Sequence, residues 1–172
     1  LILKGEPDCS EAMSVLAILL QIKGRTEESA QLYQQLLELQ PDHVIAINNL
    51  AWIMSEVQGE HQQALELAQK GLKLAPNYCD LIDTRGVIYY RLAEFDKAVA
   101  DFTECIELYP GITPASIGTR FYLARAFAEL GEKEKATKFL NEALELDSQI
   151  GGLSMADLAE AKSLLKQLQE GS

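Results

Sequence analysis

The chain has 172 residues, 48% hydrophobic and 24% charged, with 15 Lys+Arg against 26 Asp+Glu for a formal charge of −11. That apolar share suits a folded domain, and the negative charge argues against nucleic acid or an anionic membrane surface as partner. No apolar run reaches the roughly 18 residues of a membrane span, and three scattered cysteines with two distant histidines predict neither a disulfide framework nor a metal site.

Taken in chain order, the apolar periodicity predicts helices in pairs. They fall at 10–23 and 26–39, 44–57 and 60–74, 79–92 and 95–108, then 114–130 and 133–147. The second helices end in LLELQP, GLKLAP, CIELYP and ALELDS. Pro7, Pro41, Pro76 and Pro110 recur every 34 or 35 residues. A proline beyond a helix stops it, because it lacks the amide hydrogen and disfavours helix in the residue before it. The repeat defines four units at 10–43, 44–78, 79–112 and 113–150. The last opens on Thr113-Pro114, an N-cap followed by proline at the first helical position.

After these units Ile150-Gly151-Gly152 breaks the pattern, and Ser154 with Asp157 reads as a capping box. A final helix within 153–169 carries Met155, Leu158, Ala161, Leu164, Leu165 and Leu168 on one stripe, as expected of a helix that shields the last unit from water. Residues 1–9 read as the tail of an earlier unit's second helix. With Leu1 in place of an initiating methionine, they predict a longer parent with further units upstream.

Aligned units agree where helices must cross. The eighth position holds Ala17, Ala51, Gly86 and Ala124, and the twentieth Ser29, Ala64, Ala98 and Ala136. Bulky Leu20, Met54, Tyr89 and Phe127 recur at the eleventh. With these marks the chain resembles the tetratricopeptide repeat (TPR) family. The resemblance implies an all-α fold, a right-handed superhelical solenoid of antiparallel helix pairs with four units and a C-terminal capping helix. Departures are Arg85 at the seventh position, Arg120 at the fourth and Leu36 at the usually small twenty-seventh. The arginines are expected to lay their stems over apolar surface with their heads in water.

The resemblance also implies a concave face lined by the second, fifth, ninth and twelfth positions of each first helix, where such domains hold an extended peptide or a partner's helix. In this sequence that stripe supplies a candidate partner-binding groove of Asn48, Trp52, Asp80, Asp83, Val87, Tyr90, Phe121 and Arg125. Apolar anchors would come from Trp52, Val87, Tyr90 and Phe121, and orientation from Asn48, Asp80, Asp83 and Arg125. Tryptophan, tyrosine and arginine are the residues most enriched in binding hot spots. The competing assignment has Trp52, Val87 and Phe121 completing the core between units, with Asp80 and Asp83 on a solvated acidic face. The clamp that grips chaperone tails in one TPR subclass is rejected, because Ser14 and Ile18 stand where it needs lysine and asparagine.

Asp80 and Asp83 are carboxylates on one helix face, the minimum for acid–base work, but no histidine, phosphate loop or nucleophile–base signature accompanies them. The expected function is therefore a protein-interaction scaffold, not an enzyme, with no cofactor, a protein or peptide partner and no membrane insertion. The alternative is a structural spacer or self-association module within a longer TPR protein, associating through its N-terminal end. Segments such as NNLAW resemble bacterial TPR scaffolds. The compartment stays open, with the cytoplasm favoured and a bacterial envelope reached only through a signal on the parent.

Overall fold

The computed structural model describes residues 7–108 and 111–170. Residues 1–6, most of the expected upstream tail, and Pro110, one of the helix-stopping prolines, lie outside it. Among the described residues there are nine helices and no strand: α1 Pro7–Ile22, α2 Thr26–Leu39, α3 Val44–Glu56, α4 His61–Leu74, α5 Cys79–Arg91, α6 Phe95–Leu108, α7 Pro114–Glu129, α8 Lys133–Ile150 and α9 Met155–Glu170. The largest departures from the predicted spans are at α1, which begins three residues early, and α8, which runs three residues longer. Pro7 opens α1, where a missing amide hydrogen costs nothing.

The same turn joins the two helices of each pair. The amide of the residue just before the second helix donates back to the carbonyl of the bulky eleventh position, from Arg25 to Leu20 (2.9 Å), Glu60 to Met54 (2.8 Å), Glu94 to Tyr89 (2.9 Å) and Glu132 to Phe127 (2.9 Å). Three of these are six-to-one bonds and the second, Glu60 to Met54, spans one residue more; each has a left-handed residue just before its donor. Gly24, Gly59 and Gly131 fill that place at φ 75°, 73° and 76°, but the third turn has Ala93 at φ 58°. A Cβ in that region is strained by about 1–2 kcal/mol, partly offset by the lower entropy of an unfolded alanine. Ala93→Gly is therefore expected to stabilise the protein by about 0.5–1 kcal/mol, read from the urea midpoint at unchanged slope. A destabilised variant would show that the turn is not strained.

The chain forms two compact units, residues 1–84 and 85–172. In the first, α1 packs on α2, α2 on α3 and α3 on α4. Its core gathers Met13, Ala17, Ala30, Tyr33, Leu36, Ala46, Leu50 and Ile53. Small residues sit at the crossings as expected: the buried Ser29 hydroxyl donates to the Ala17 carbonyl at 2.7 Å. Tyr33 is fully buried, and its hydroxyl accepts from Asn49 Nδ2 at 2.8 Å. At Gly71, a Cβ would stand 2.5 Å from Leu81 Cδ2 and 2.7 Å from Ile47 Cγ2, so only glycine lets α4 lie this close to its neighbours.

In the second unit, one cluster holds Val87, Ala98, Phe102, Leu123, Ala126, Phe127 and Ala136. Another holds Ile117, Phe121, Ala124, Leu140, Ala143 and Ala161, with Leu153, Leu164, Leu165 and Leu168 packed against it. The apolar stripe of α9 thus covers α7 and α8. Its start is held by Ser154, whose hydroxyl accepts from the Asp157 amide at 3.1 Å. Thr113 and Ser116 form a capping box around Pro114 at the start of α7.

The arginines behave differently from the expectation that their heads reach water. Arg85 donates through Nε and Nη2 to the two carboxylate oxygens of Asp101, both at 2.7 Å, and Asp101 is buried. Arg120 Nη1 donates to the Ser116 carbonyl at 2.8 Å, with Glu142 at 3.7 Å from its Nε. Each arginine is matched by a polar partner, which is why the core tolerates it, and Leu36, the third departure, is fully buried in the first unit's core.

Candidate functional site

In the first unit the candidate stripe runs along α1, α3 and the start of α5. Trp52, the only tryptophan, keeps 37% of its surface exposed, and Ile18 and Ile45 on the same stripe keep 38% and 44%. Large apolar side chains left this open on the face expected to bind a partner are the feature a recognition surface requires. Asn48 is half-buried and engaged: its Oδ1 accepts from Thr84 Oγ1 at 2.8 Å and its Nδ2 donates to Asn49 Oδ1 at 3.3 Å. It therefore ties α3 to α5 and holds a fixed orientation. Asp80 is exposed and Asp83 half-buried. Burial first, and then the neighbouring Asp80 carboxylate, push the Tyr78 hydroxyl above its ordinary range.

Ser55 and His61 share a hydrogen bond at 3.0 Å. A hydroxyl beside an imidazole is the start of a nucleophile–base pair, but Ser55 is 2% exposed, so no substrate reaches its oxygen. Among the described residues, no group of three or more His, Cys, Asp or Glu side chains is placed to hold a metal ion, and no helix is long and apolar enough to cross a membrane.

In the second unit the stripe divides. Val87 is 4% exposed and Phe121 fully buried. They are core residues, contrary to their assignment as groove anchors. Val87 packs with Ala98, Phe102 and Leu123, and Phe121 with Ile117, Leu140 and Ala161 of α9. Tyr90 and Arg125 stay half-buried and meet: the Arg125 guanidinium lies 4.6 Å from the Tyr90 ring centre, 5.2 Å from that of Tyr122 and 5.4 Å from that of Phe121. The partner that Arg125 takes is Glu160 of α9, Nε to Oε1 at 2.9 Å.

These groups border a cavity of about 180 Å³ lined by Tyr90, Arg125, Ala128, Glu129, Glu160, Ser163, Leu164 and Gln167. The Tyr90 hydroxyl faces Glu129 Oε1 at 3.5 Å. Burial pushes that hydroxyl above its usual range, against the opposing pull of Arg125. Sequence reasoning missed Glu160, Ser163 and Gln167 because it read α9 only as a shield, and Glu129 of α7 because it falls one position past the stripe. The available signal was the polar face of α9 opposite its apolar stripe.

Helices paired by one recurring turn, with small residues at every crossing, define a helical-repeat protein. Family models described as tetratricopeptide repeat match residues 7–77, 80–112 and 120–150, and the chain belongs to that family. The fold is similar to a thermophilic TPR protein of Thermus thermophilus, with a TM-score of 0.71 at 22% identity over 91% of this chain and 81% of that one. It is also similar to MamA from Desulfovibrio magneticus RS-1, with a TM-score of 0.66 at 15% identity over 94% and 93%.

In sequence, the chain is 30% identical over 103 residues to a UDP-N-acetylglucosamine–peptide N-acetylglucosaminyltransferase of Giardia intestinalis, covering 60% of this chain and 7% of the relative. It is 26% identical over 137 residues to the BBSome complex member BBS4 of Bos taurus, covering 80% and 25%. It is 28% identical over 141 residues to protein FlbA of Caulobacter vibrioides, covering 81% and 22%. The chain thus spans a quarter or less of these relatives, which come from a protist, a mammal and a bacterium. Tetratricopeptide repeats commonly bind protein partners, and the chain is a protein-interaction scaffold of that general kind.

Proposed function

We propose that this chain holds an extended peptide or a partner's helix against the stripe carried by the first helices of its pairs, and acts as a binding module instead of a catalyst. The division into repeat units at 10–43, 44–78, 79–112 and 113–150, with 153–169 as the cap, is part of the same reading. The observation that carries it is the exposure of Trp52 beside Ile18 and Ile45 in a stripe where Asn48 is held rigid by Thr84. Burial of a tryptophan and two isoleucines against a partner contributes several kcal/mol at roughly 25 cal/mol per Å². Asp80 and Asp83 favour a partner segment with basic groups.

A second reading, self-association, is favoured by α1, whose Val15, Leu16, Leu19 and Ile22 are 56%, 50%, 49% and 76% exposed. One experiment separates the two. Affinity capture from source lysate on the native chain and on Trp52→Ala, with helicity checked by circular dichroism, is combined with sedimentation of both baits. Partners retained by the native chain and lost on Trp52→Ala support groove binding. Equal recovery on both baits overturns it, and a native dimer that Leu19→Asp converts to monomer then establishes the second reading.

A further inference from the structure

The cavity of the second unit has a chemical preference of its own. Three features converge on it. First, it is formed by the last turns of two helices: Tyr90 ends α5, which closes at Arg91, and Ala128 and Glu129 end α7. The Tyr90 and Ala128 carbonyls already accept from the Ala93 and Gly131 amides at 3.0 Å, but the helix dipoles leave both C-termini with partial negative charge that favours cations. Second, two carboxylates, Glu129 and Glu160, line it against the single guanidinium of Arg125, so its formal charge stays negative. Third, Arg125 is already engaged by Glu160 at 2.9 Å and by three aromatic rings, and its side chain is only 13% exposed. An incoming carboxylate would have to displace Glu160 and then face Glu129. An incoming ammonium or guanidinium meets two acids and two helix ends.

We infer that this cavity receives a basic side chain, lysine or arginine, of the partner segment, through Glu129 and Glu160. Leu164 and Ala128 accommodate its aliphatic stem, and Ser163 and Gln167 offer oxygen acceptors at the mouth. At about 180 Å³ the space suits one long side chain, not a strand or helix. The inference rests on the reading of the chain as a binding module and specifies what one part of it selects. It also fits the net charge of −11, which draws basic segments.

The test uses small probes, so it is independent of whether any partner is captured through Trp52. Nα-acetyl-lysine methylamide, and the norleucine and glutamate equivalents, are titrated into the isotope-labelled chain while backbone amide resonances are followed. Saturable shifts confined to Ala128, Glu129, Glu160, Ser163 and Gln167 are expected with lysine only. Binding should weaken about fivefold in Glu129→Gln and again in Glu160→Gln, as for exposed charge pairs of about 1 kcal/mol, and it should weaken with added salt. Ser163→Phe, which fills the mouth, should abolish it while leaving the melting temperature unchanged.

Absence of saturable shifts, affinity in the two glutamine variants unchanged from the native chain, or preference for the glutamate probe would each overturn the inference. The last would assign the cavity to a carboxylate held by Arg125. A cavity that ignores lysine in a chain that still captures partners through Trp52 sinks this inference alone. Loss of Trp52-dependent capture with lysine binding intact sinks the groove reading alone.

Discussion

Arg85→Ala is expected to destabilise the protein by about 3 kcal/mol at pH 7. The native pair is bidentate, with both contacts at 2.7 Å, and the Asp101 side chain is only 7% exposed. Removing one member of a buried ion pair leaves the other uncompensated, typically at a cost of about 3–5 kcal/mol. The lower figure applies because the Arg85 side chain is 23% exposed. Burial already pushes the Asp101 carboxyl up, with Arg85 pulling it back, so losing Arg85 raises it further. A carboxyl whose folded pKa is raised contributes stability that is present below its unfolded pKa and lost as pH rises through the folded one. The deficit of Arg85→Ala should therefore be smaller at pH 4 than at pH 7.5. Replacing both residues by leucine should restore most of the stability, because an apolar pair of similar volume is often neutral or better. Urea unfolding at both pH values checks all three outcomes. A pH-independent deficit, or a double variant no better than the single, would show that the pair is peripheral to stability.

Phe102→Ala should cost about 3–5 kcal/mol, the range for deleting a fully buried phenylalanine. Phe102 is fully buried among Val87, Ala98, Leu123 and Phe127, with its ring stacked on Tyr122 at 6.0 Å. It also lies directly on Gly86, where a Cβ would stand 2.6 Å from its Cε1 and 2.8 Å from its Cδ1. A double-mutant cycle reads this coupling. Gly86→Ala alone forces the ring aside and should destabilise by about 1–2 kcal/mol, overpacking outweighing the gain in helix propensity. In the Phe102→Ala background the same change meets no ring and recovers helix propensity, so its sign should reverse to about 1 kcal/mol of stabilisation. Additive effects would mean that the glycine is not there for the phenylalanine.

The two glycines show how far local pattern reaches. Gly86 sits at a position that is small in every unit, so its place at a crossing is legible. That the residue opposite is Phe102, and that alanine is therefore too large where Ala17, Ala51 and Ala124 fit, follows only from how α5 and α6 are set. Gly71 is less legible still, because the side chains that exclude a Cβ there come from α3 and α5. The same division appears at Arg85. Its departure from the repeat was plain, but its partner stands sixteen residues on, and the sequence does not mark Asp101 as the one acid of α6 that turns inward.

The sequence by itself determined the helices, their pairing and, to within three residues, their ends. These depend on interactions within a few residues: proline stops, caps such as Thr113 and Ser154, and apolar side chains recurring with the helical period. It also determined the acidic charge and the family, and put Trp52 and Arg125 at the ninth position and Tyr90 at the twelfth position of their first helices. Tertiary structure alone decided which members of the candidate stripe remain accessible. Val87 and Phe121 occupy the same helical positions as Trp52 and Asn48, yet neighbouring helices cover them while Trp52 stays open. It decided also that Arg125 pairs with Glu160, and that a helix read as a shield supplies half the lining of a cavity. Burial and long-range pairing depend on surfaces brought together from distant segments, and helical period fixes only the direction a side chain points, not what it meets there.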